Sequence, residues 1–379
     1  MRTTTCAVLA SLLVFAACGS DANESATPTP TTDGSGDVLV VAGEPFPEAR
    51  CEANQAAGSI TYLTGFDFAA ASSIIDVIAA DAAGYYDDLC LDVEIRPSFS
   101  SANYSLIASG NAQFASGGSF SESVAFSAAN DDEIVALSVE GRTAIDTLII
   151  KAGEATELGD LEGTTIGVKG KLPTSIDVML RGQGLVEGED FTTTLLDGFD
   201  PLAHLAIDAI VGLPGWKSNE VGTVERAGVA VQLFDPLDFG VPGSFGVIVS
   251  NRDFVAEHPT AAADFMRATM RGLSDAINDP AAAAAIAVER IDEGGNPNFL
   301  SPEGETFRWE TEARLILDTT PEGIGFGVPD EATLQGELDA YAAVGLFGEG
   351  VEPVAAEHFD VDLLTGLYDE GVLIWPATS

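Results

Sequence analysis

Residues 146–170 read DTLIIKAGEATELGDLEGTTIGVKG, and the fold turns on how this stretch is read. DTLIIK, Asp146–Lys151, is a compact apolar run with β-branched residues and predicts a strand. LGDLEG supplies a turn, and TTIGVKG predicts a second strand that closes on a glycine before a helix over 174–181. Further on, FGVIV at 245–249 is the strongest apolar strand of the chain. Between these two landmarks the chain has β and α content of its own. Strands are expected over 190–196 and 229–233 and a helix around 202–209, while the glycine- and proline-bearing tract 212–222 reads as irregular. Such a chain leaves one sheet, builds a second and returns. Two crossings make a hinge, and the cleft between two lobes is a natural site for a small ligand.

Upstream of Asp146, strands are expected over 59–64, 91–95, 112–115 and 133–139. They alternate with helices over 69–83, 102–109 and 119–129, the first two closing on Gly84 and Gly110. Downstream, Pro259 opens a helix carrying Met266, Met270, Leu273 and Ile277 on one face. Helices over 281–291, 307–317, 332–344 and 360–368 follow. The alternation predicts an α/β fold with mainly parallel sheets, and no internal repeat is visible.

Acidic residues number 60 against 16 basic, a net charge of −44. A field of that sign repels nucleic acid, and nucleic-acid binding is excluded on that ground. The first 17 residues read as an export signal: Arg2 begins it, and an apolar run from Ala7 to Ala17 is too short to span a bilayer. The run ends in Ala16-Ala17-Cys18-Gly19, small residues before a cysteine, and acyl chains on Cys18 would anchor the chain to a membrane. Residues 19–37, GSDANESATPTPTTDGSGD, lack any large apolar side chain and read as a tether. Cys6 leaves with the signal, so Cys51 and Cys90 remain, as a disulfide or as two thiols. His204, His258 and His358 are scattered and make no metal pattern. No Gly-x-Ser-x-Gly elbow, Walker loop or dinucleotide fingerprint is present, and neither an enzyme activity nor a cofactor is expected.

The order of segments resembles the type 2 periplasmic binding proteins, and among them the SsuA/THI5-like group of nitrate, sulfonate, thiamine-precursor and riboflavin receptors. Four stretches carry the resemblance: Ala82-Ala83-Gly84-Tyr85-Tyr86-Asp87 with Leu91-Asp92-Val93-Glu94-Ile95; Leu106 through Phe114 (LIASGNAQF); Leu158 through Val168 (LGDLEGTTIGV); and Phe239-Gly240-Val241-Pro242 followed by NRDFVAEHP from Asn251. The resemblance implies a two-lobed fold with a double-crossover hinge. Residues 1–17 would be a lipoprotein signal, 18–57 a tether and N-terminal extension, 58–145 with 246–379 one lobe, and 146–245 the other. It further implies a lipid-anchored receptor on the extracytoplasmic face of the cell membrane, serving an ABC permease and ATPase complex. Eukaryotic THI5-like relatives are biosynthetic enzymes using a cysteine-rich segment, and this chain has no such segment.

Cleft residues are expected at strand C-termini and helix N-termini. These are Phe66, Asp67 and Phe68 after the first strand, and Gly118, Ser119 and Phe120 after the third. In the second lobe they are Lys169, Lys171 and Thr174, then Trp216, Asn219 and Glu220, with Pro242 and Phe245 at the return crossing. Lys169 and Lys171 would suit an anion. The aromatic and acidic residues favour a flat, hydrogen-bonding heterocycle. The resemblance ranks riboflavin first, a thiamine pyrimidine precursor second, and a sulfonate or nitrate after them.

Overall fold

The computed structural model describes residues 39–130, 133–296 and 300–377. The expected signal, tether and Cys18 lie outside the described residues. Ten strands form two five-stranded sheets. The first contains β1 (Ser59–Leu63), β2 (Asp92–Arg96), β3 (Phe114–Ser116), β4 (Ile134–Gly141) and the late strand β10 (Phe245–Asn251). The second contains β5 (Asp146–Lys151), β6 (Thr165–Val168), β7 (Thr192–Leu195), β8 (Gly212–Trp216) and β9 (Val231–Phe234). The chain therefore crosses between sheets twice, at 142–145 and at 235–244.

The sheets share one plan. Their orders are β2-β1-β3-β10-β4 and β7-β6-β8-β5-β9. In each, the three strands at one side run parallel, and the strand that first enters from the crossing, β10 or β5, is antiparallel to both neighbours. The expectation of mainly parallel sheets is corrected here to mixed ones. The reason is the hinge: β4 and β9 end there, β10 and β5 begin there, and a strand leaving the hinge must run against one arriving.

A second correction concerns the tract 212–222. Gly212–Trp216 is not irregular but is the middle strand of the second sheet, and Glu220–Arg226 is a helix. Glycine and proline weaken a strand on propensity alone. Here the missing side chains are what the sheet needs, because a Cβ on Gly212 would lie 2.2 Å from the Ile149 carbonyl oxygen. A third correction shortens the helix expected over 69–83 to Ile75–Ala82, since the backbone N–H groups of Ala70, Ser72 and Ser73 bond side chains instead of helical carbonyls.

The Pro259–Asn278 helix lies against the first sheet as its apolar stripe predicts. Phe265 on this helix stacks on Phe114 of β3 with ring centroids 4.0 Å apart, and Tyr62 and Tyr86 flank it. The Glu48–Ala56 helix is fastened to the same body by the Cys51–Cys90 disulfide. Beside it, Arg50 donates to Asp264 at 2.6 Å, Asn54 donates to the same carboxylate at 2.9 Å, and Arg267 pairs with it at 3.1 Å. Among the described residues no helix is long and apolar enough to cross a membrane.

Candidate functional site

The parallel strands of the first sheet deliver their C-terminal ends to one cavity, of about 110 Å³. β1 leads into Gly65 and Phe66, and β3 into Gly117, Gly118 and Ser119. The second sheet contributes Asp146 at the start of β5 and Trp216 at the end of β8. The crossings supply Ile145, Ser244, Phe245 and Gly246, and the Pro302–Thr319 helix adds Arg308 and Glu312. Gly246 lines the cavity with φ +67, and a Cβ there would meet Ser72 Cβ at 2.6 Å, so glycine alone fits.

Of the residues expected in the cleft, Phe66, Gly118, Ser119, Trp216 and Phe245 line this cavity. The others are placed elsewhere. Asp67 is buried and accepts a hydrogen bond from the Asn296 N–H at 2.5 Å. Phe68 packs in a small apolar cluster with Ile74, Ile78 and Ile291. Phe120 faces the core edge-on to Phe359. Lys169 pairs with Glu220 at 2.7 Å, and Glu220 also accepts the Trp216 N–H at 2.9 Å. Lys171 is exposed, and Thr174 opens its helix. Asn219 accepts from Arg308 at 3.1 Å, and the Pro242 carbonyl accepts from the Tyr341 hydroxyl at 3.2 Å.

The cavity also holds acidic residues that the sequence reading passed over: Glu122, Asp146 and Glu312. Glu122 had a signal, because Ser119 and Glu122 form a reciprocal capping box at the start of the Phe120–Ala129 helix. It is exposed to the cleft yet enclosed by its walls. Burial pushes its carboxyl up, and the Ser119 N–H and the charge of Lys171 oppose that rise. Burial pushes Asp146 up to about 6, with the Ser175 hydroxyl opposing and Glu122 adding to the rise. Glu312 sits between the sheets. Its Oε2 accepts from both the Ser72 N–H and the Ser72 hydroxyl at 2.7 Å, and its Oε1 accepts from the Ser218 hydroxyl at 2.6 Å. Burial raises this carboxyl too, with Ser218 and Ser72 opposing. Glu220 behaves in the opposite way: burial pushes it up, but the adjacent Lys169 and the Trp216 N–H outweigh burial and leave it below its usual range.

Chemically, this is a small enclosure with carboxylates from both lobes, rings on its walls, and one guanidinium, whose Nε has no partner among the described groups. Arg308, the cation on its wall, pairs with Glu305 at 3.3 Å. Two sheet-based lobes joined by two crossings around such an enclosure define a periplasmic-binding-protein fold. The alkanesulfonate-binding protein SsuA from Xanthomonas axonopodis pv. citri superimposes with a TM-score of 0.56 at 14% identity, covering 79% of this chain and 97% of that one. The family model described as NMT1/THI5 like matches residues 71–283, and the chain belongs to that family. It is similar to the formylaminopyrimidine-binding protein of Halalkalibacterium halodurans, 26% identical over 230 residues, 59% of this chain and 68% of the relative. It is also similar to the riboflavin-binding protein RibY of Chloroflexus aurantiacus, 28% identical over 138 residues, 36% of this chain and 39% of that protein.

Proposed function

We propose that this chain is the substrate-binding component of an ABC importer, and that its cleft takes a compact, donor-bearing heterocycle of the aminopyrimidine class. The observation that carries the reading is the pairing of Glu122 and Asp146, one from each lobe, on a single cavity beside Phe66 and Trp216. Carboxylates accept hydrogen bonds from ring amino and N–H groups, and the aromatic side chains stack on a flat face. The enclosure of about 110 Å³ is small beside the ~300 Å³ and more of drug-sized pockets, which suits one ring better than three fused ones. The similarity to a formylaminopyrimidine-binding protein points the same way. Riboflavin, which the sequence reading ranked first, becomes the second reading, supported by the similarity to RibY. The anion reading is weakened, since Lys169 is committed to Glu220 and Lys171 alone stays exposed near Glu122.

In this account the ligand bridges Glu122 and Asp146, the lobes close around it, and the closed form docks on the permease. Closure signals ligand only if the ligand binds the closed state better than the open one. The chain is a receptor in this reading and not an enzyme, held at the extracytoplasmic membrane face by acyl chains on Cys18. The test is a thermal-shift panel of a hydroxymethyl-substituted aminopyrimidine, a formylaminopyrimidine, riboflavin, taurine and nitrate. A true ligand at about 100 times its Kd stabilises the fold by ~2.7 kcal/mol and raises the melting temperature. The aminopyrimidines should give that rise. A rise with riboflavin alone transfers the assignment to the second reading, and a rise with taurine or nitrate alone defeats both.

A further inference from the structure

Turns that lead from strands into helices expose N–H groups, and clefts built from them collect anions. Around this cleft several such donors are already occupied by glutamates of the chain itself. In the turn after β1, Ala70 N–H donates to Glu305 at 2.7 Å, Ser72 N–H to Glu312 at 2.7 Å, and Ser73 N–H to Glu140 at 2.9 Å. After β3, Ser119 N–H donates to Glu122 at 3.4 Å and Ser121 N–H to Glu337 at 3.1 Å. At the end of β8, Trp216 N–H donates to Glu220 at 2.9 Å. The remaining donors at the start of the Phe120–Ala129 helix are also taken: Gly118 N–H by the Tyr104 hydroxyl and Phe120 N–H by the Ser244 hydroxyl.

Glu122 and Glu312 line the cavity, while the other glutamates are buried outside its lining and come from separate parts of the chain. Glu140 comes from β4, Glu305 and Glu312 from the Pro302–Thr319 helix, and Glu337 from the Glu331–Ala342 helix. Burial raises Glu140, Glu312 and Glu337. A protonated carboxyl still offers its carbonyl oxygen, so the donors stay occupied in either state.

We infer that these side chains are built-in substitutes for an anionic ligand, and that Glu122, which is exposed to the cleft, makes the receptor reject sulfonate- and sulfate-like anions. Glu122 bonds the first donor of the Phe120–Ala129 helix and places negative charge where an incoming anion would sit. The inference rests on the reading of this cavity as the ligand site.

The experiment titrates the full chain, as wild type, Glu122→Ala and Glu122→Gln, with sulfate and with methanesulfonate at constant ionic strength. Calorimetry and tryptophan fluorescence report binding, and circular dichroism confirms that each variant is folded. The wild type should show no saturable binding. Glu122→Ala should bind either anion at least about tenfold more tightly than the wild-type limit, the scale of a favourable helix–anion interaction, with Glu122→Gln in between. Saturable anion binding by the wild type overturns the inference, and so do two folded variants as inert as the wild type. The aminopyrimidine response is read separately on the wild type. If the wild type ignores the ring while the variants gain anion binding, the ligand class fails and the exclusion stands.

Discussion

Asp76 and Glu140 are both fully buried, and a Cβ on Gly246, which lines the cleft, would come within 3.2 Å of Glu140. Glu140 Oε1 accepts the Ser73 N–H, while Glu140 Oε2 and both oxygens of Asp76 have no donor from the described protein groups. The charge of Asp76 raises the neighbouring Glu140, and two buried carboxyls so placed are expected to share a proton. Burial pushes Asp76 from 3.8 up to about 6, and burial together with the charge of Asp76 pushes Glu140 well above the carboxylate range. A carboxyl raised on folding contributes stability that is fully present below its unfolded value, near pH 4, and lost as pH rises through its folded value. For Asp76 that rise corresponds to about 3 kcal/mol, lost by about pH 7. Glu140→Gln keeps an acceptor for Ser73 and gives Asp76 an amide donor, so the ionised Asp76 is then satisfied. Melting curves of wild type and Glu140→Gln between pH 4 and 8 isolate the pair, because acid relieves the −44 repulsion in both chains alike. The wild type should lose on the order of 5 °C relative to the variant across this range. Parallel melting-temperature profiles for the two chains would refute the shared proton.

Other consequences are equally direct. Replacing both Cys51 and Cys90 by alanine opens a loop of 39 residues and should cost about 4 kcal/mol in urea unfolding, matched by wild type under reductant. Asp264→Ala removes the acceptor shared by the buried Arg50 and Arg267 and should cost about 3–5 kcal/mol, read as a lower denaturation midpoint. Trp216→Ala should weaken a flat aromatic ligand about tenfold with little change in melting temperature, because the residue is 41% exposed.

The double crossing was legible because DTLIIK and FGVIV are apolar runs with turn signals between them, and β5 and β10 begin at Asp146 and Phe245. Ser119 was legible as a helix start, and Phe66 and Trp216 as rings near strand ends. β8 was not, because GLPGW opposes strand propensity and forms a strand only where its neighbours exclude side chains. Glu305 and Glu312 were hidden for a different reason. They bond Ala70 and Ser72, more than two hundred residues away, and no local pattern encodes that approach. Two close lysines in an acidic chain suggest an anion site, and the ion pair of Lys169 with Glu220, 51 residues away, has no local signature. The matching strand order of the two sheets leaves no sequence repeat, since topology constrains spacing and burial more than residue identity.

The most direct measurement is a calorimetric titration of the wild type, Glu122→Gln and Asp146→Asn with a formylaminopyrimidine near pH 7.5. The account predicts one-to-one saturation of the wild type, with weaker binding in each variant, since each removes a charged acceptor from one lobe. No heat from the wild type, or equal affinity in all three chains, would contradict the claim that carboxylates from the two lobes grip the ligand.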